Sequence, residues 1–156
     1  ANWSAALPVL TDAQAMMVVA RGRTFPIAQE IALKLKETCQ IQAEPFSAAE
    51  LMHGPVALVE PGYPVLILAI EDETLAGVRE VADALAAKGA QVMVASSAVD
   101  ASGPGHTTLP LPPALHPALD PIMAVQAFYG FAGKLAVARG LDADAPRHLR
   151  KVTLTV

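Results

Sequence analysis

Cysteine occurs once in this 156-residue sequence, at Cys39, which excludes an intrachain disulfide framework and any zinc cluster built on paired thiolates. The four histidines, His53, His106, His116 and His148, show no i, i+4 pair or other metal-ligand spacing, so no metal is expected. Aromatic residues make up only 4% and charged residues 17%. No basic run or aromatic–basic interleaving appears, and the net charge of −4 argues against a nucleic-acid partner. Uninterrupted apolar runs such as Val65 to Ile70 are far shorter than the roughly 20 residues a membrane span needs. No signal peptide is visible, and the expectation is a cytoplasmic protein without a membrane partner. The start at Ala1 fits either a removed methionine or a piece of something longer.

What is present is apolar. Hydrophobic residues reach 53%, enough for one domain with a sizeable core, and the excess points to an interface with a partner. Asn2 to Leu10 reads as an amphipathic opening helix carrying Trp3 and Leu7. Ala15 to Ala20, Tyr63 to Ile70 and Gln91 to Ser96 are continuous apolar runs bounded by turns, the pattern of strands buried on both faces. Thr107 to Leu111 is a candidate edge strand before the Pro112-Pro113 break. Between the strands lie helical stretches, Glu73 to Lys88 ended by Gly89, and a long one from Pro117 to Arg139 stopped at Gly140. Alternation of this kind predicts a parallel sheet covered on both faces, a doubly wound α/β fold, with ligands beyond the carboxyl ends of the strands.

The most informative stretch is Arg21 to Pro55. Arg21-Gly22-Arg23 turns into a helix, where a glycine turn and a helix N-terminus together offer a weak anion-site signal. Pro26 suits the first helical turn and Thr24 can supply a capping oxygen. Ile27, Ile31 and Leu35 form the apolar stripe, while Glu30, Lys34 and Glu37 share another stripe at i, i+4 and i+7. Spacing alone leaves that stripe open between a solvated salt-bridge face and a catalytic one. Glu50-Leu51-Met52-His53-Gly54-Pro55 follows, so a carboxylate, an amine and an imidazole stand close in sequence and could move protons at neutral pH.

Lys34 to Pro55, KLKETCQIQAEPFSAAELMHGP, together with the tail PRHLRKVTLTV from Pro146, is similar to the second sugar isomerase (SIS) domain of the glutamine–fructose-6-phosphate aminotransferase (glucosamine-6-phosphate synthase) family. The resemblance runs over nearly the whole chain, in the right order. It implies one flavodoxin-like SIS domain over residues 1–156, a three-layer sandwich with a long C-terminal helix and an active-site tail at 141–156. It implies the second half of a two-SIS-domain protein acting on a hexose 6-phosphate, by ketose/aldose isomerisation with amino transfer at C2. No cofactor is expected, and the partner is a second copy or a first SIS domain.

By the same resemblance, Glu37 moves the proton between C1 and C2, Lys34 supports it, and His53 opens the sugar ring from the neighbouring subunit. Lys151 matches the lysine that forms an imine with the open-chain ketose, and Arg147 is a substrate-binding candidate beside it. Glu30 is placed with the substrate-binding set, a structural pairing with Lys34 being its expected role. Two other readings stay open, a glucosamine-6-phosphate deaminase of the two-SIS type and a non-catalytic phosphosugar-binding regulator. In that family the phosphate cradle is a Ser/Thr-rich loop that belongs to the first SIS domain; here the turn after the second apolar strand reads Ala69-Ile70-Glu71-Asp72-Glu73-Thr74, three carboxylates that repel phosphate. Ser96-Ser97 with Gly103 is a poor substitute, Pro45 and Met52 depart from the motif, and this sequence holds no glutaminase segment.

Overall fold

The computed structural model of the chain describes residues 1–98 and 102–149. Five strands form one parallel sheet: β1 (Ala15–Ala20), β2 (Gln42–Ser47), β3 (Pro64–Leu68), β4 (Gln91–Ser96) and β5 (Thr107–Pro110), in the order β2-β1-β3-β4-β5. Helices α1 (Leu7–Leu10), α2 (Phe25–Cys39) and α5 (Asp120–Ala138) cover one face, and α3 (Ala48–Leu51) and α4 (Leu75–Ala87) cover the other. The doubly wound expectation holds, including β5 as an edge.

Period-two alternation explains why apolar runs serve both layers. Along β1, Met16 and Val18 pack with Ile31, Leu35, Phe128 and Leu135, while Met17 and Val19 pack with Leu51, Val78 and Leu85. Trp3 closes the end of the first core, its ring tilted against Phe128 and Phe131 and its indole N–H donating to the Pro110 carbonyl at 3.0 Å. An aromatic with a polar edge suits that half-sealed place.

The β2 strand has no counterpart in the apolar runs of the sequence. It is an outer strand pairing Gln42 to Ser47 with Ala15 to Ala20, and among its residues only Ala43 is buried. Pro45 lacks an N–H for a second neighbour, which only an edge strand tolerates. Thr24 also differs from expectation. It does not cap α2; its hydroxyl donates to the Arg21 carbonyl at 2.9 Å, so a short 3-10 turn over Gly22–Thr24 leads into the helix. The long C-terminal helix likewise begins with a 3-10 turn, Pro117–Leu119, before α5 proper.

The helix over α4 starts at Leu75 because Asp72 Oδ1 takes both the N–H and the hydroxyl of Thr74, at 2.8 and 2.6 Å. Its stop at Gly89 is steric as well as conformational. The φ of 87° is left-handed, and an added Cβ would sit 3.2 Å from Pro61.

Candidate functional site

In a right-handed βαβ unit α2 starts beyond the carboxyl end of β1 and runs back, so Glu37, in its last turn, lies by the amino ends of the strands. The α5 helix runs back in the same direction, from the end of β5, and delivers the tail to that edge. There Lys36, Glu37 and Gln40 of α2 meet Arg147, His148 and Leu149 around an open pocket of about 430 Å³. Glu37 and Arg147, both named from the resemblance, line the same pocket. Lys151 lies outside the described residues.

The charged stripe is a connected network. Lys34 Nζ donates to Glu37 Oε2 at 2.6 Å and lies 3.9 Å from Glu30 Oε1. Glu30 Oε1 in turn accepts from the Tyr129 hydroxyl of α5 at 2.8 Å. The bond to Glu37 raises the Lys34 pKa above 10.5, against a smaller lowering by burial, with the Glu37 and Glu30 charges adding to the rise. Lys34 is therefore an ammonium at neutral pH and a donor, not a nucleophile. The Tyr129 phenol is raised above 10.0, first by its bond to Glu30. Glu30 has the structural pairing foreseen for it, with Tyr129 as a second partner that helix spacing alone could not reveal.

His53 is not in this pocket. It is exposed in the turn after α3, its backbone N–H donating to the Glu50 carbonyl at 3.0 Å. Glu37 precedes β2 and His53 follows it, and six residues at about 3.3 Å each separate the two sheet edges by roughly 20 Å. Within one chain the two side chains cannot share a substrate.

The crevice beyond the carboxyl ends of β1 and β3, where the strand order reverses, is occupied from within. Arg23 Nε lies 3.4 Å from the buried Asp72 Oδ2, and its Nη2 lies 3.5 Å from Glu73. The anion signal at Arg21-Gly22-Arg23 is thereby answered by the chain's own carboxylates. Close by, Asp120 is buried, and desolvation pushes its pKa above 3.8; Arg23 lowers it, while Asp72 and Glu71 add to the rise. Cys39 is fully buried, as a small hydrophobe would be, and burial pushes its thiol up. Among the described residues no group of three His, Cys, Asp or Glu side chains is placed to hold a metal ion.

The family pattern for the SIS domain matches residues 9–105. The chain belongs to the SIS domain family. Over 156 aligned residues it is 40% identical to the glutamine–fructose-6-phosphate aminotransferase [isomerizing] of Leifsonia xyli subsp. xyli, covering 91% of this chain and 24% of the relative. The C-terminal domain of glucosamine-fructose-6-phosphate aminotransferase from Francisella tularensis superposes with a TM-score of 0.82 at 27% identity, over 89% of this chain and 40% of that one. A protein assigned as a phosphosugar isomerase, from Silicibacter pomeroyi, superposes with a TM-score of 0.81 at 35% identity, over 91% and 42%. The chain spans about a quarter of the length of the Leifsonia and Tropheryma relatives it matches, and 92% of the Sphingobium yanoikuyae aminotransferase, to which it is 34% identical. It is an SIS domain similar to those of the aminotransferases, with the five-stranded parallel sheet and long C-terminal helix expected of it.

Proposed function

We propose that this SIS domain supplies the proton-transfer half of a site that converts a ketose 6-phosphate to a 2-amino aldose 6-phosphate. The observation that carries this reading is the Lys34–Glu37 bond, 2.6 Å long, at a pocket that also holds Arg147. A carboxylate beside a permanent ammonium can take a proton from one sugar carbon and return it to its neighbour through an enediol. The ammonium stabilises the negative charge that develops on the way.

Two further groups complete the reading. His53 of a second copy opens the sugar ring, because the His53 of the same chain stands at the other edge of the sheet. Lys151 attacks the opened carbonyl as a neutral amine, forming an imine with loss of water, while Arg147 and Arg150 favour its deprotonated state. The substrate's phosphate and the nitrogen source are left to parts of a longer protein, in line with the acidic Ala69–Thr74 turn and the 24% coverage of the Leifsonia relative.

The test is solvent exchange. In the complete protein, hexose 6-phosphate in deuterium oxide should gain deuterium at C1 or C2, and Glu37→Gln should lower kcat for that exchange by about 10²–10⁴-fold while leaving binding largely intact. Exchange by Glu37→Gln at the wild-type rate would exclude Glu37 as the base and leave the stripe a salt-bridged helix face.

A further inference from the structure

The crossovers after β3, β4 and β5 meet beyond the carboxyl ends of the strands, the end at which open α/β sheets take their ligands. Glu71 follows β3, Ser97 follows β4, and Pro113, Ala114 and Pro117 follow β5. With Asp120, the first residue of α5, they line a crevice of about 320 Å³. Glu37 and Arg147 lie by the opposite ends of the strands, so this crevice is separate from the pocket that holds them.

A buried carboxylate ordinarily has a cation or several donors against it, because taking the charge out of water is costly. Asp120 is only 8% exposed, yet among the described residues no hydrogen bond or ion pair reaches its side chain. Its neighbour Asp72 is provided for, with Thr74 on Oδ1 and Arg23 Nε at 3.4 Å from Oδ2. Arg23 is thereby engaged by Asp72 and Glu73, which leaves Asp120 and Glu71 facing the crevice as uncompensated acids. Such a surplus disfavours an anion and favours a cation. Among the described residues no group of three ligating side chains is placed for a metal ion. An ammonium fits better, since it offers three donors to a few acceptors and needs no coordination shell. Ser97 adds a hydroxyl, and Pro113, Ala114 and Pro117 add an apolar wall, the surroundings of a small ring that carries hydroxyls as well as an amine. We propose that this crevice binds a small hydroxylated primary amine of the amino-sugar class, its ammonium held by Asp120 and Glu71 and a hydroxyl by Ser97. The proposal goes beyond the isomerase reading and does not rest on it, because it uses neither Glu37 nor the tail.

Glucosamine and glucose, which differ only in the amine, provide the test on the complete protein. In calorimetry glucosamine should bind at least about tenfold more tightly than glucose. Asp120→Asn keeps the size and removes the charge, and Glu71→Gln does the same at an exposed position that folding does not depend on. Each should abolish the preference for the amine, while Glu37→Gln should leave it unchanged. In wild type the side-chain carboxyl 13C signal of Asp120 should move as glucosamine is titrated. Equal binding of the two sugars, or no binding of glucosamine, would overturn the proposal. So would a preference that survives both substitutions, or an Asp120 signal that stays put at saturation. A preference lost in Glu37→Gln and kept in the other two variants would place the amine in the Glu37 pocket and overturn it as well. Failure of deuterium exchange in the same protein would remove the isomerase reading and leave this site standing.

Discussion

Tyr129 of α5 and Glu30 of α2 are joined by a hydrogen bond of 2.8 Å, and that bond decides how the site's ammonium is shared. Glu30 and Glu37 flank Lys34 on one stripe, and both attract it. With Glu30 held by the phenol, Lys34 stays 3.9 Å from it and gives its short bond to Glu37.

Tyr129→Phe removes the restraint with little change in shape. Glu30 is then free to approach Lys34 and compete with Glu37. A hydrogen bond contributes roughly 1 kcal/mol, so kcat for deuterium exchange should fall about fivefold with KM nearly unchanged. The 15N shift of Lys34 Nζ should move with it. An unaltered kcat and an unmoved Lys34 signal would make Tyr129 a surface residue with an incidental bond.

Asp120 gives a prediction in pH. Its folded pKa lies above the unfolded 3.8, chiefly through burial, so folding favours the protonated carboxyl. The stabilisation this group contributes is complete below pH 3.8 and lost as pH rises through the folded value. Asp120→Asn removes that dependence. The variant should gain more in thermal midpoint, relative to wild type, at pH 7 than at pH 4. The first-turn position works the other way, since a carboxylate there favours the helix dipole. An equal shift at both pH values would mean that the dipole and Arg23 fully offset burial.

The layers of the fold were readable because parallel strands buried on both faces are written as unbroken apolar runs. Ala15–Ala20 and Gln91–Ser96 matched their strands residue for residue, and Gly89 and Gly140 marked the helix stops. The β2 strand was unreadable for the opposite reason, since an edge strand with one buried residue carries no such signal. At the site, helical spacing revealed that Glu30, Lys34 and Glu37 share a face, but not that Tyr129, 99 residues away, completes it. The resemblance named Arg147 as a substrate-binding candidate, and the structure sets it in one pocket with Glu37.

Arg139 is the clearest stability test. Its Nη1 donates toward the carbonyls of Leu10, Thr11 and Ala13, at 2.8, 2.7 and 2.9 Å, satisfying the end of α1 and the turn into β1. Hydrogen bonds from a charged group contribute about 1.5–3 kcal/mol, and Arg139→Met leaves those carbonyls without this donor. The expected loss in urea unfolding is about 3 kcal/mol, with an unchanged m-value. A loss below about 1 kcal/mol would show that water replaces the guanidinium at no cost.

The strongest test of assembly exploits the roughly 20 Å between Glu37 and His53 in one chain. If each site takes Glu37 from one copy and His53 from the other, Glu37→Gln and His53→Gln are each inactive alone but complementary when mixed. In a two-fold dimer, a mixed pair holds one site with both substitutions and one site with neither. After unfolding and refolding an equimolar mixture, half the dimers are mixed and half their sites are intact, so activity should recover to about a quarter of wild type. The measurement is the rate of hexose 6-phosphate isomerisation against the mixing ratio, with each variant refolded alone as the control. A mixture as inactive as its components would place His53 outside the site.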